Sequence, residues 1–317
     1  MKIAVVGCGH WGKNLVRNFY ELGVLAMVCD QNTASLDYVK NHHPLVEITD
    51  SFDDLINRDD IDGLVIATPS SSHYQLAKRA LLSGKNVYVE KPLAQNLQEA
   101  EELHHIAEDK DLVLMVGHLL LYHPAVNKLK SLISSGELGE IKYINSDRRN
   151  FNRNQRRDSN VMWDLAPHDL SVMSYLISSE PEEILSVRAW ASVDEVVDVV
   201  HIDLVFPYNI GAHIHNSWLD PQKQALLTVN GSKKTAVLND TFKDNKLEIY
   251  CRNTDGSLTV EKPVYSNDEP LRLECKHFLD CIKHKARPMS DGMNGSQVVK
   301  YLEQCQEMMS VGHLSAV

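Results

Sequence analysis

Two patterns of apolar and polar positions divide the chain. Over the first 120 residues, short and predominantly apolar runs at 2–6, 24–29, 63–67, 86–89 and 112–116 predict strands. Between them, 11–22, 51–56, 72–82 and 97–108 carry the spacing of helices. Strands apolar on both faces belong to a parallel sheet covered on each side, and right-handed crossovers make that sheet doubly wound. Beyond residue 120 the pattern changes. A helix at 124–133 precedes strand-like runs at 141–147, 184–191, 199–206, 210–218, 225–229, 235–239 and 246–251. Pro207-Tyr208-Asn209 and Asn230-Gly231-Ser232 are hairpin turn signals between consecutive runs. Two helices, 271–284 and 295–309, close the chain, and 312–317 reads as a frayed tail. The expected class is α/β: a doubly wound parallel sheet over 1–120, then over 121–317 an α+β domain on a large, mostly antiparallel open sheet.

Composition narrows the function. The 317 residues are 43% hydrophobic, enough for sizeable cores, which excludes a disordered chain. With 32 basic and 43 acidic residues the formal charge is −11, which repels phosphate backbones and anionic membranes. Neither nucleic acid nor membrane is an expected partner. The six cysteines form no C-x-x-C pair, which points to reduced thiols in a cytoplasmic protein. The N-terminus runs straight into a strand pattern without a signal-peptide core. The longest apolar stretch, 112–122, is cut by Gly117 and His118 and is too short to span a bilayer.

The chemistry lies where strands end. Gly7-Cys8-Gly9-His10-Trp11-Gly12 is a G-x-G-x-x-G between the first strand and first helix. Gly7 permits the tight turn, Gly9 a close backbone approach to a pyrophosphate, and Gly12 helix–strand packing. His10 and Trp11 share that turn and are expected cofactor contacts. Asp30 ends the second strand, where a carboxylate accepts from ribose hydroxyls and repels a 2′-phosphate. No basic residue follows at Gln31, Asn32 or Thr33, so NAD is expected over NADP. The first domain is thus a candidate Rossmann domain. Thr68, Pro69, Ser72 and His73 lie after the third apolar run, on the edge where ligands bind. Glu90-Lys91-Pro92 follows the next strand on that edge. The tripeptide recurs as Glu261-Lys262-Pro263, expected to be a surface turn.

In the second domain, Asp164 is expected to cap a helix, with Pro167 in its first turn and His168 one turn along the same face. Arg148, Arg149, Arg153, Arg156 and Arg157 form the densest basic segment. They make either a solvated loop or a pocket for a diphosphate or carboxylate. The paired histidines 42–43 and 104–105 diverge, and His213 and His215 have no carboxylate near them in sequence, so no metal is expected.

Together these motifs resemble the glucose–fructose oxidoreductase / inositol dehydrogenase (Gfo/Idh/MocA) family over nearly the whole chain. The resemblance implies a nicotinamide cofactor in the first domain and an alcohol, usually a sugar, on the second, whose sheet forms a homodimer or homotetramer. Gly117-His118, Tyr122-His123-Pro124 and Trp218-Leu219-Asp220-Pro221 resemble the branch that oxidises C3 of a UDP-N-acetylhexosamine or its uronate ahead of transamination. A basic residue common in relatives after the sixth strand is here replaced by Leu119-Leu120-Leu121. Lys91, Asp164 and His168 are the expected catalytic residues and, with the arginines, the substrate contacts. His168 or Lys91 would serve as base, Asp164 would orient the imidazole, and Lys91 would stabilise an alkoxide. A free-sugar or inositol dehydrogenase and a non-catalytic NAD-binding sensor remain the rival readings.

Overall fold

The structure is a computed structural model and describes residues 1–151, 159–191 and 196–313. The chain forms two units, the first comprising Met1–Leu119 with Glu269–Lys300 and the second Leu120–Asp268 with Tyr301–Val317. In the first, β1 (Ile3–Val6), α1 (Gly12–Glu21), β2 (Leu25–Cys29), α2 (Thr33–His42), β3 (Glu47–Thr49) and α3 (Phe52–Ile56) make one half of the sheet. β4 (Gly63–Ile66), α4 (His73–Leu82), β5 (Asn86–Glu90), α5 (Leu97–Asp109) and β6 (Leu114–Gly117) make the other. All pairings are parallel, in the order β3-β2-β1-β4-β5-β6. This is the doubly wound order of dinucleotide-binding sheets. β1, β4 and β6 are buried at every position, as their unbroken apolar runs require.

The sequence pattern passes over α2 and β3 for a physical reason. α2 buries only Leu36 and Val39 and depends on its cap, Asn32, whose side chain accepts from Ala34 N–H. β3 has three residues and none buried.

The second unit holds α6 (Pro124–Ser134), β7 (Ile141–Phe151), α7 (Val161–Ile177), β8 (Glu183–Ala191), β9 (Val197–Phe206) and β10 (Ile210–Ser217). β11 (Leu219–Gly231), β12 (Lys234–Asn239), β13 (Leu247–Arg252) and β14 (Leu258–Glu261) follow. Its nine-stranded sheet runs β14-β13-β12-β11-β7-β10-β9-β8-β15, where β15 is Ser310–His313. The β10–β7 and β15–β8 pairings are parallel and the rest antiparallel. Gly312 and His313 therefore belong to an edge strand rather than to a frayed tail. The two-residue period sorts the sheet's faces: Ile144, Ile202, Leu204 and Ile214 are buried on one, while His201, Asp203, His213 and His215 line the other. Among the described residues no helix is long and apolar enough to cross a membrane.

One expected boundary is corrected. Two late helices, α8 (Pro270–His284) and α9 (Gly292–Met308), were assigned from sequence to 121–317, yet Glu269–Lys300 belongs to the first unit. The reason is an apolar stripe on α8, Leu271, Cys275, Phe278 and Cys281, all buried. Phe278 packs edge-on against Phe19 at 6.5 Å and Tyr88 at 5.9 Å. Sequence distance says nothing about which core such a stripe fills.

Phe278→Ala should lower stability by about 3–5 kcal/mol, the cost of emptying a buried aromatic site. Leu258→Ala, at a position 60% exposed, should change it by less than about 0.5 kcal/mol. Urea unfolding followed by circular dichroism makes the comparison, and equal midpoints would place Phe278 outside the core.

Candidate active site

The glycine turn of the first unit is shaped by contacts a side chain would destroy. Gly7 has φ +91°, and a Cβ there would stand 2.7 Å from Ala67 O. A Cβ at Gly12 would stand 2.0 Å from Gly7 O. Gly9 differs, because nothing lies within 4 Å of the position its Cβ would take. Its exposed backbone faces open space at the start of α1, whose first turn carries no acidic residue. An open glycine backbone at an uncompensated helix N-terminus fits a dinucleotide pyrophosphate.

Asp30, half-buried, has a duty the motif does not show. Its carboxylate accepts Cys8 N–H at 2.6 Å and Asn32 N–H at 2.8 Å, so it locks the glycine turn. His10 is exposed. Trp11 donates Nε1–H to Glu90 Oε1 at 2.6 Å, and Tyr88 OH donates to the same oxygen at 3.1 Å. Desolvation raises the Glu90 carboxyl above its ordinary range, while Trp11, Lys91 and Tyr88 oppose that rise. Lys91 is half-buried beside it and Pro92 is buried.

Ser72 Oγ donates within its own turn, to Thr68 Oγ1 at 2.7 Å or Pro69 O at 2.8 Å. His73 is the departure on this edge. It is 1% exposed, with Nδ1 2.8 Å from Pro92 O and Nε2 2.9 Å from Thr68 O. Its ring braces two loops against each other and has no surface left for a cofactor contact.

Sequence reasoning treated His118 only as part of a resemblance. It follows β6 on the same edge and is 1% exposed, and among the described residues neither ring nitrogen has a hydrogen-bond partner. Burial first, and the Lys91 charge second, push its pKa down to about 3. A polar residue directly after a wholly apolar strand was the signal available.

In the second unit the expected cap moves by one turn. Asn160 caps α7, its side chain accepting from Trp163 N–H at 3.1 Å. Asp164 is therefore helical and buried, accepting Trp218 Nε1–H at 3.3 Å. Pro167 lies inside the helix, where its missing N–H deprives the Trp163 carbonyl of a helical donor. His168 remains one turn from Asp164 and is half-buried. The adjacent Asp169, overlooked in the sequence, is 2% exposed. It accepts from Ser146 at 2.7 Å, Arg148 Nε at 3.1 Å and Asn216 at 2.8 Å. His123 and Asp240 line, with Arg148 and Asp169, a small cavity. Burial works against the Asp240 carboxylate, but His123 and Lys246 hold it well below the usual range.

The arginine segment divides. Arg148 lies on the α7 side of the sheet. Arg149 projects from the opposite face, tied to Asp147 at 2.7 Å and Asp220 at 2.8 Å, because consecutive strand residues alternate. That removes Arg149 from the side bearing Asp164 and His168. Arg153, Arg156 and Arg157 lie outside the described residues. Lys262, of the second Glu-Lys-Pro, is exposed just after β14 and pairs with Glu248 at 3.2 Å.

His118 makes the pH dependence of stability testable. An unfolded histidine binds a proton near pH 6.5, whereas buried His118 does so only near 3. Between those values the unfolded chain holds more protons, so stability falls with falling pH, by about 2 kcal/mol at pH 5 from this group. His118→Leu should flatten the slope of unfolding free energy between pH 7 and 5. Equal slopes would mean that His118 titrates like a solvated histidine.

Residues 1–118 match the oxidoreductase family with an NAD-binding Rossmann fold, and residues 126–237 match the GFO/IDH/MocA C-terminal domain. The chain is 26% identical over 307 residues to UDP-N-acetylglucosamine 3-dehydrogenase of Acidithiobacillus ferrooxidans, covering 94% of each. It is 30% identical to an oxidoreductase of Formosa agariphila over 90% of this chain and 92% of that one. A solved structure of UDP-N-acetylglucosamine 3-dehydrogenase from A. ferrooxidans shares the fold, with a TM-score of 0.87 at 24% identity, covering 98% of this chain and 97% of the other. The chain belongs to the GFO/IDH/MocA family of oxidoreductases, and residues 1–118 are the NAD-binding Rossmann domain of that family.

Proposed function

We propose that this oxidoreductase oxidises a sugar hydroxyl, with NAD as acceptor and C3 of a UDP-N-acetylglucosamine-type sugar nucleotide as the substrate position. The observation that carries the reading is the pairing of roles along the chain. Lys91 directly follows a parallel strand beside a glycine turn fitted to a dinucleotide, and half-buried His168 lies one turn from buried Asp164. The named activity of the A. ferrooxidans relative supports the choice of substrate.

When bound, NAD supplies the hydride acceptor. The rest of the chemistry falls to the chain. His168 takes the hydroxyl proton, the general-base role that alcohol oxidation requires. Asp164, one oxygen of which is held by Trp218, orients the helix face that bears His168. The Lys91 ammonium stabilises charge developing on the alcohol oxygen. Arg148, fixed through Nε to Asp169, is left to meet the substrate's anionic part. With Arg149 turned away, a neutral polyol stays in play as the second reading, so the substrate screen must include both.

Incubating the protein with NAD and either UDP-sugars or free sugars and inositols, while following NADH, decides between them. Turnover confined to free polyols would sink the nucleotide reading. His168→Ala and Lys91→Ala should each lower kcat by at least about a hundredfold, with smaller changes in KM. Asp164→Asn, which keeps the oxygen that accepts from Trp218, should be milder. Lys262→Ala should match wild type.

Cofactor choice is tested separately by titration. With Asp30 at the ribose position, NAD should bind at least about tenfold more tightly than NADP, roughly 1.4 kcal/mol. Equal affinities would release Asp30 from that role and leave it only the bonds to Cys8 and Asn32.

A further inference from the structure

Tyr88 is wholly buried in β5, and α8 reaches it with two residues one turn apart. Phe278 meets the ring edge-on at 5.9 Å, and the Glu274 carboxyl faces the hydroxyl. Glu274 is 0% exposed, and among the described residues neither of its oxygens has a well-formed hydrogen bond. The reaction assigned above has no use for it.

A phenol has one proton to give. Tyr88 gives it to Glu90 Oε1, which also receives Trp11 Nε1–H. Were Glu274 ionised, two carboxylates would compete for that proton, and the loser would be a bare buried charge. Burial and the nearby Glu90 raise the Glu274 carboxyl well above its ordinary range, so Glu274 is the acid that keeps its proton. A protonated Glu274 leaves the Tyr88 proton to Glu90 and offers its own O–H to the Tyr88 oxygen. The space is reserved for this arrangement: a Cβ on Gly117 would stand 2.8 Å from Tyr88 OH and 2.9 Å from Glu90 Oε2.

The geometry points to Glu274 as a positioning residue. Through the Tyr88 hydroxyl it holds the Glu90 carboxylate that clamps Trp11, in the glycine turn, to the strand end bearing Lys91. It would thereby set the shape of the cofactor site without touching the cofactor. The inference rests on the NAD-binding reading of that site.

The test uses the full chain, NADH titration and Trp11 fluorescence isolated by difference from Trp11→Phe. Glu274→Met replaces a buried carboxyl with an apolar side chain and should keep or raise the unfolding temperature. Its NADH Kd should nevertheless rise about five- to tenfold, the loss of one hydrogen bond in the clamp. Trp11 emission should shift even without cofactor. Glu274→Gln, whose amide N–H replaces the acid O–H, should return Kd to within about twofold of wild type. In a Tyr88→Phe background, Glu274→Met should add nothing further, since the path between the two carboxyls is already cut. Wild-type affinity with unshifted Trp11 emission in Glu274→Met would overturn the inference, as would an equal loss in both backgrounds. A wild-type chain that binds no NADH would instead remove the cofactor reading, and the cofactor-free Trp11 emission would still decide the role of Glu274.

Discussion

The end of β5 must offer an ammonium at Lys91 while drawing the carboxylate of the preceding residue out of water, and a desolvated carboxylate demands donors. Glu90 finds them in Trp11 and Tyr88. That requirement links three parts of the first unit. Trp11 brings the glycine turn to the strand end, Tyr88 brings the strand's buried core, and Gly117 on β6 supplies the room. α8 completes the arrangement by placing Phe278 against the Tyr88 ring and Glu274 at its hydroxyl. The cofactor edge is thus held by a helix that follows it by some 180 residues, and the first unit is not closed until that helix returns.

Buried acids organise the second unit by the same rule. Asp169 gathers donors from β7 and β10, and Asp164 takes one from Trp218 just beyond β10. α7 is thereby tied to the sheet by directional bonds as well as by apolar packing. His168, between the two acids in sequence, is carried on a helix whose rotation those bonds define. Arg148 is oriented by the same network, which gives its guanidinium a fixed geometry that a loop arginine would lack.

The opposite face of that sheet has its own order. His201 stacks on His215 at 4.2 Å, His213 pairs with Asp203 at 2.7 Å, and His215 stands 3.3 Å from Asp147. Burial and the neighbouring histidines push His201 down to about 4. The carboxylates that seemed missing from the sequence come from adjacent strands. Even so, no group of three potential ligands that could hold a metal ion occurs among the described residues.

What the sequence determined by itself was whatever local pattern encodes. Unbroken apolar runs meant a covered parallel sheet, strand-like runs joined by hairpin turns meant a mostly antiparallel one, and the order of glycines before a helix meant a dinucleotide turn. Lys91, Asp30 and the one-turn separation of Asp164 and His168 were legible because strand ends and helix periods are local facts. Tertiary structure alone decided the rest, because burial and hydrogen-bond partners are set by residues far apart along the chain. Asn160 rather than Asp164 caps α7, since Trp218 claims the Asp164 carboxylate. His73 became a brace because two loop carbonyls converge on its ring. Arg149 left the α7 side because Asp147 and Asp220 wait on the other face. Glu274 could not have been singled out at all, because in the sequence it is one more charged residue on a helix. Only packing against Tyr88 withdraws it from water and makes its proton matter.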